Sequence, residues 1–308
     1  MSDAHITQDT EGEHDNAYAG LLGNDAHWAF GTDFEDPLAG VDTTIPDGVD
    51  ASELAQYCLM LGDDALVYAQ RLSEWTSRAP DLEEDIAIAN IALDLVGQAR
   101  LLLARAAAAD PALVPSLPEG SPVPDEDRLA YFRDAGAFRN VRLAEQPNGD
   151  FAELIARLLV MSTWRLAIFQ RLVDHQDAVV AAIAAKGVKE LAYHRDFAGR
   201  WFVTLARGTG ESHRRLTDAM RTVWPLIPEL TASTETESRV GVDPATLADE
   251  IGVVLDQVLA VAGITAPETP GLAGVRGRTG RHGMHSEALS RLLAEMQVVA
   301  RAHPMGRW

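Results

Sequence analysis

The chain has 308 residues, 47% of them hydrophobic, enough to bury a sizeable core in one large domain or two small ones. Its single cysteine, Cys58, excludes an internal disulfide and a cysteine-based zinc site. The net charge is −20, and residues 1–50 supply −12 of it through nine Asp, three Glu and no Lys or Arg, which makes nucleic acid and anionic membranes poor partners.

Residues 1–50 are rich in Asp, Gly and Thr without an apolar period, so a disordered acidic extension is expected there. His5, His14 and His27 fall in it among carboxylates and read as solvated rather than metal-binding. The segment has neither the cationic start nor the apolar run of a signal peptide. No stretch of ~18 uncharged apolar residues suggests a membrane span, and a soluble cytoplasmic protein is expected. Arginine supplies nearly all the positive charge, which fits either a GC-rich genome or an acidic surface tolerated at high salt.

Residues 51–308 are dominated by a period of 3.6, so the expected class is all-α, in one domain. A first helix is expected from about Ser52 to Ser77, interrupted at Gly62-Asp63-Asp64. A second runs from Pro80 to Arg105, with Asp81 and Glu84 spaced as a capping box. Between Asp85 and Gln98 its only polar side chains are Asn90 and Asp94, which predicts a helix buried on most sides and Asp94 inside the protein. The short link predicts that these two helices are antiparallel neighbours.

Five prolines make residues 110–124 a loop, and a short helix follows at about Asp125–Arg133. Asp150 should cap a helix to about Asp174, with Glu153 at the capping-box position. Asp177 should start another, ended by Gly208. A helix from about Ser212 to Leu230 is broken near its end by Pro225 and Pro228. Residues 231–242 read as a loop, and a helix with Pro244 in its first turn runs from Asp243 to about Ala262. Residues 263–283 form a glycine-rich loop, and a last helix spans about Ser286–Ala302.

Four long helices invite a test for a carboxylate-bridged di-metal site, which needs a Glu on each of two helices and a Glu-x-x-His on each of the other two. Counted from a turn centred near Ala79, Asp63 and Asp64 stand level with Asp94. Counted from His175–Gln176, Glu190 stands level with Met161–Ser162. The layer is present but its ligands are wrong. Asp94-x-x-Gly97 lacks an imidazole, Glu190-x-x-Tyr193 has one displaced by a position to His194, and Met161–Ser162 offers no carboxylate. Asp63, Asp64, Asp94, Glu190 and His194 therefore read as a vestigial di-iron layer, its carboxylates paired with Arg165, Lys189 or Tyr193 in a buried polar network. No metal and no catalytic or cofactor-binding residue is expected on this chain.

The segments LGDD (61–64), QRLSEW (70–75), DLEEDIAIANIALDLVGQAR (81–100), AEQPNGDFAELIAR (144–157), KELAYH (189–194) and LLAEMQ (292–297) resemble the C, or structural, subunit type of the phenylacetic acid catabolic protein family. The resemblance covers about residues 53–308. It implies a ferritin-like four-helix bundle with additional C-terminal helices. It implies a partner A subunit that holds the di-iron centre and binds the CoA thioester, together with a B subunit and an NADPH-dependent reductase. Jointly these epoxidise the ring of phenylacetyl-CoA with O2. Two alternatives stand beside it: a chain that binds di-iron and acts as an oxygenase itself, and a stand-alone ferritin-like binding protein. Arg276, Arg278, Arg281 and His282, spaced by glycines, read as a contact for an anion or partner, or else as a solvated loop. His285-Ser286-Glu287 reads as a helix start with Ser286 as its cap. Glu211 with His213 reads as a helix start rather than a ligand pair.

Overall fold

The computed structural model describes residues 38, 40–272 and 274–306, so the expected extension at 1–50 lies outside the described residues except for 38 and 40–50. The described residues form helices α1 (Ala51–Ser73), α2 (Leu82–Ala109), α3 (Asp125–Tyr131), α4 (Arg142–Glu145), α5 (Phe151–Leu172) and α6 (Ala178–Arg207). They continue with α7 (Gly210–Val223), α8 (Ile227–Leu230), α9 (Glu235–Val240), α10 (Ala248–Ala262) and α11 (Glu287–Ala302). Among these residues the only strand-like feature is one isolated bridge, Val275 to Arg278. The protein is all-helical.

The long helices begin where aspartates cap them. Asp50 accepts from Glu53 N at 3.0 Å, Asp150 from Glu153 N at 3.1 Å, and Asp177 from Val180 N at 3.0 Å. Asp81 caps α2 through Glu83 N at 3.2 Å rather than by the expected box with Glu84. The Glu84 carboxyl instead hydrogen-bonds Asp81, which raises its pKa. α2 runs past Arg105 until Asp110, where the following Pro111 holds the chain extended (φ −141°, ψ 91°). α1 is continuous through Gly62-Asp63-Asp64. Gly62 does not break it: a Cβ there would lie 2.9 Å from Leu103 Cδ2, so the glycine permits a close approach of α1 and α2. The loop expected at 231–242 contains α9, whose start is a capping box between Thr234 and Glu237. After α7 a 3-10 turn at Trp224–Leu226 and the short α8 accommodate Pro225 and Pro228.

Ser77 N donates to Asp85 at the near end of the first pair, and Gly62 meets Leu103 farther on, so α1 and α2 run antiparallel. α5 packs on α6, α2 also touches α6, and α7 and α10 lie against α5 and α6. α4, α9 and α11 cover α1. Tyr57, Tyr68, Phe138, Trp164, Phe169 and Phe202 are wholly enclosed.

α2 departs from its expected burial. Leu82, Ile86, Leu93 and Val96 are 68, 53, 66 and 44% exposed, and the Asp94 side chain is 35% exposed. By length and composition α2 is also the one described helix able to cross a membrane. Its other face nevertheless packs on α1 and α6, and Arg105 near its end is ion-paired with the buried Asp177.

Candidate functional site

The register of the helices decides which side chains share a layer. Counted from Gly62 opposite Leu103, the α2 residue level with Asp64 is about Leu101. Gln98 is then roughly one turn away and Asp94 roughly two. In the second pair a Cβ on Gly187 would lie 2.6 Å from the Phe169 ring, which brings Glu190 level with the turn holding Arg165, not with Met161–Ser162. The expected register is therefore about two turns out in the first pair and about one in the second, because the links between the helices are not symmetric turns.

The structure brings α2 and α6 together through two crosswise pairs. The His194 ring, through Nε2, bonds Asp94 Oδ2 at 2.9 Å, and Gln98 Nε2 donates to Glu190 Oε2 at 2.9 Å. The spacing that faces the core is i, i+4 on both helices, so Gly97 and Tyr193 point away from it. A Cβ on Gly97 would meet nothing within 4 Å, and Tyr193 is 49% exposed. Lys186 Nζ lies 3.5 Å from Glu190 Oε1, so the lysine that reaches the layer is Lys186 rather than the expected Lys189.

Arg165 stands at the centre of the layer. It is buried, donates from Nε to Gln98 Oε1 at 3.0 Å and from Nη1 to Leu61 O at 3.1 Å, and stacks over Phe169. Burial lowers its pKa to about 10 against the pull of Asp64, so it remains a cation at neutral pH. The layer thus carries its own fixed positive charge.

Asp63 and Asp64 are fully buried and turned toward arginines from distant loops. Arg133 clamps Asp63 with both terminal nitrogens, one at 3.0 Å, and Arg139 N donates to it at 2.8 Å. Asp64 accepts from Val141 N at 2.8 Å and from Arg281 Nη1 at 3.0 Å. Burial raises the Asp64 pKa in spite of Arg281 and Arg165. Arg281 is itself enclosed, with Nε 3.2 Å from Glu237 Oε1. Burial opposes its charge, yet Asp64 and Glu237 raise its pKa above the ordinary value.

The glycine-spaced basic loop is therefore not one surface. Arg281 is a core residue, and the His282 ring accepts from Thr279 N at 3.2 Å as a local cap. Only Arg276 and Arg278 remain on the tight turn outside. Ser286 sits at the start of α11 but its hydroxyl makes no capping bond. His285 bonds Glu145 Oε2 at 2.7 Å and Phe138 O at 3.0 Å. Two acceptors require both ring nitrogens to donate. Burial works against the charge, but the hydrogen bond and charge of Glu145 outweigh it and raise the His285 pKa. Glu211 is held down to about 2 by Arg214 and Arg215, while His213 turns to Ala206 O, so the two do not act as a ligand pair.

A di-metal centre does not fit these residues. Its carboxylates would have to converge, whereas Asp63 and Asp64 are clamped by Arg133 and Arg281, and Arg165 with Gln98 fills the space between the helices. Among the described residues the one group of three or more potential ligands close enough to share an ion is Asp81, Glu83 and Glu84, at the start of α2 and far from the layer. The cavity between Tyr68, Met161, Arg165 and His194 measures about 10 Å³, the room of one water molecule, and cannot hold an organic substrate. Sequence reasoning names Arg165 only as a possible partner, places Arg281 on a contact or solvated loop, and misses Gln98 and Arg133. The signal for Gln98 is its place four residues after Asp94.

Comparison with known proteins bears on the same span. A family model described as phenylacetic acid catabolic protein matches residues 41–308. The C subunit of the 1,2-phenylacetyl-CoA epoxidase of Escherichia coli (strain K12) is 39% identical over 267 residues, covering 83% of this chain and 100% of that protein.

Proposed function

The chain belongs to the phenylacetic acid catabolic protein family, and from that premise we propose that it is the non-catalytic structural subunit of a multicomponent phenylacetyl-CoA epoxidase. In this reading α1, α2, α5 and α6 are a ferritin-like bundle that has exchanged a metal centre for a protein cation. The observation that carries it is Arg165, buried between the helices and bonded to Gln98 where metal ligands would have to stand. Its role is to bury a face of the A subunit and hold that subunit's helices in a competent geometry. The A subunit would bind the CoA thioester and hold the di-iron centre, with a B subunit and an NADPH-dependent reductase completing a cytoplasmic system.

What this chain's residues supply in that role is rigidity. A guanidinium holds its charge at neutral pH and needs no loading, so the layer is assembled as soon as the chain folds. The ion pairs to Asp63, Asp64 and Glu237 tie α1 and α9 to the loops around 133–141 and 281.

Iron analysis of the purified chain, followed by epoxidation assays with and without it, tests the reading. The expected result is an iron-poor chain that is required for turnover by an iron-loaded A subunit. About two irons per chain, lost in Asp94→Ala and Glu190→Ala variants, would overturn it.

A further inference from the structure

We infer that the small cavity between α1, α2, α5 and α6 is the binding site of one structural water molecule, which bridges Arg165 to Asp64 and joins the polar groups of the layer into a single network. The cavity is walled by Asp64 and Tyr68 of α1, Leu95 of α2, Ser162 and Arg165 of α5, and His194 of α6. Three polar atoms of these wall residues are enclosed and make no hydrogen bond within the protein: Asp64 Oδ2, the Tyr68 hydroxyl and Arg165 Nη2. Their residues are 0, 2 and 2% exposed, so bulk solvent does not reach them. Buried polar atoms are almost always satisfied, by protein or by ordered water, and each is costly to leave unmade. The neighbouring groups do not satisfy these three. The Arg157 guanidinium lies over the Tyr68 ring, 5.5 Å from its centre, and leaves the hydroxyl unbonded. Arg281 Nη2 is 2.9 Å from Asp64 Oδ2 but out of line for a hydrogen bond.

The chemistry of the wall selects the occupant. Arg165 Nη1 is bonded to Leu61 O, three residues before Asp64, and Arg165 and Asp64 each shift the other's pKa by their charge. No ion pair joins them directly, so the bridge between them has to be a third molecule. Water has the valence for it: its oxygen accepts from Arg165 Nη2 and from the Tyr68 hydroxyl, and one of its protons goes to Asp64 Oδ2. Two to four polar partners are what a buried water needs, and about 10 Å³ is the room it needs. An ion has no advantage over a neutral molecule here, because Arg165 and Arg281 are balanced by Asp64 and Glu237. With the water in place, polar contacts run unbroken across the bundle. They lead from Glu190 through Gln98 and Arg165 to Asp64, Arg281 and Glu237.

A high-resolution crystal structure of the full chain, with oxygen-17 relaxation dispersion in solution, tests the proposal. The expected crystallographic result is one density peak within hydrogen-bond reach of both Arg165 Nη2 and Asp64 Oδ2, without anomalous signal after a bromide soak. In solution, Ser162→Thr and Ser162→Val each put one more methyl group on the cavity wall. Each should lower the number of long-lived internal waters by one, with an unchanged circular dichroism spectrum. Oxygen-17 follows the oxygen of water itself, so the labile hydroxyl protons of Tyr68 and Ser162 do not contribute. A cavity without density overturns the proposal, as does a direct Arg165–Asp64 hydrogen bond or a bromide peak in its place. A number of long-lived waters that neither folded variant lowers overturns it equally.

Discussion

α1 and α2 are neighbours of similar character that meet opposite fates. α1 buries 17 of its 23 residues, including both aspartates of its Gly62-Asp63-Asp64 step. α2, with fewer polar residues over its central turns, buries only 12 of 28 and leaves Asp94 half-open to water. Hydropathy would order them the other way. The difference lies in what reaches each helix. α1 is wrapped by the loops that carry Arg133 and Arg281, whose guanidinium groups make its carboxylates tolerable in the core. Among the described residues nothing covers the outer side of α2. Apolarity along a helix therefore records that a surface can be covered, and the covering need not come from the same chain.

The contrast breaks first at Arg281. Arg281→Ala strips Asp64 and Glu237 of a shared cation in the core, and a loss of about 3–5 kcal/mol in urea-unfolding free energy is expected. A loss under about 1 kcal/mol would mean that the α1 carboxylates are solvated like Asp94.

Arg165→Met keeps the volume but removes the cation of the layer and leaves Gln98 Oε1 and Leu61 O without their donor. Its expected cost is about 2–3 kcal/mol by the same measurement. A more stable variant would show that the guanidinium is retained for something other than the fold.

His285→Gln should cost about 1.5–3 kcal/mol at mildly acidic pH, because a charged hydrogen bond to Glu145 is lost. The pH dependence has a definite sign. His285 binds its proton more tightly folded than unfolded, so its contribution is complete below its unfolded pKa of about 6.5 and is lost as pH rises through the raised folded value. Unfolding curves over that range should converge for wild type and variant as pH increases. Parallel curves would exclude an imidazolium at this position.

The smallest effects belong to α2. Asp94→Asn keeps a hydrogen bond to His194 at a half-exposed site and should cost no more than about 1 kcal/mol in a thermal melt. Leu93→Ser should fall within about 0.5 kcal/mol of the wild type in the isolated chain. A large loss from either would show that α2 is covered within the monomer.

Much of the fold is legible where the chemistry is local. Asp150 and Asp177 mark helix starts, Gly208 marks an end, and each needs only residues within one turn of itself. α9 is equally legible in Thr234 and Glu237, although its polar composition reads as loop. A polar layer that joins Asp94, Glu190 and His194 can be foreseen. Its register cannot, since the helix-to-helix level is set by close approaches such as Gly62 to Leu103, which a count from the turn does not see. The burial of Arg281 is invisible for a related reason. Nothing near it in sequence announces Asp64, which lies 217 residues away. A glycine-spaced arginine looks like a surface loop until the chain closes over it. Gly280, where a Cβ would strike Asn140 O at 2.0 Å, shows that the glycine there permits close packing.

The two lysines of the chain, Lys186 and Lys189, both sit on the exposed side of α6 within one helical turn of each other. Every other side-chain cation is an arginine or a histidine, and neither is acylated by amine-directed reagents under ordinary conditions. Side-chain amine labelling is thus confined to a single spot on α6. A fluorophore placed there, or a lysine cross-link from there to any associated chain, reports on that one neighbourhood, with the α-amino group as the remaining reactive amine.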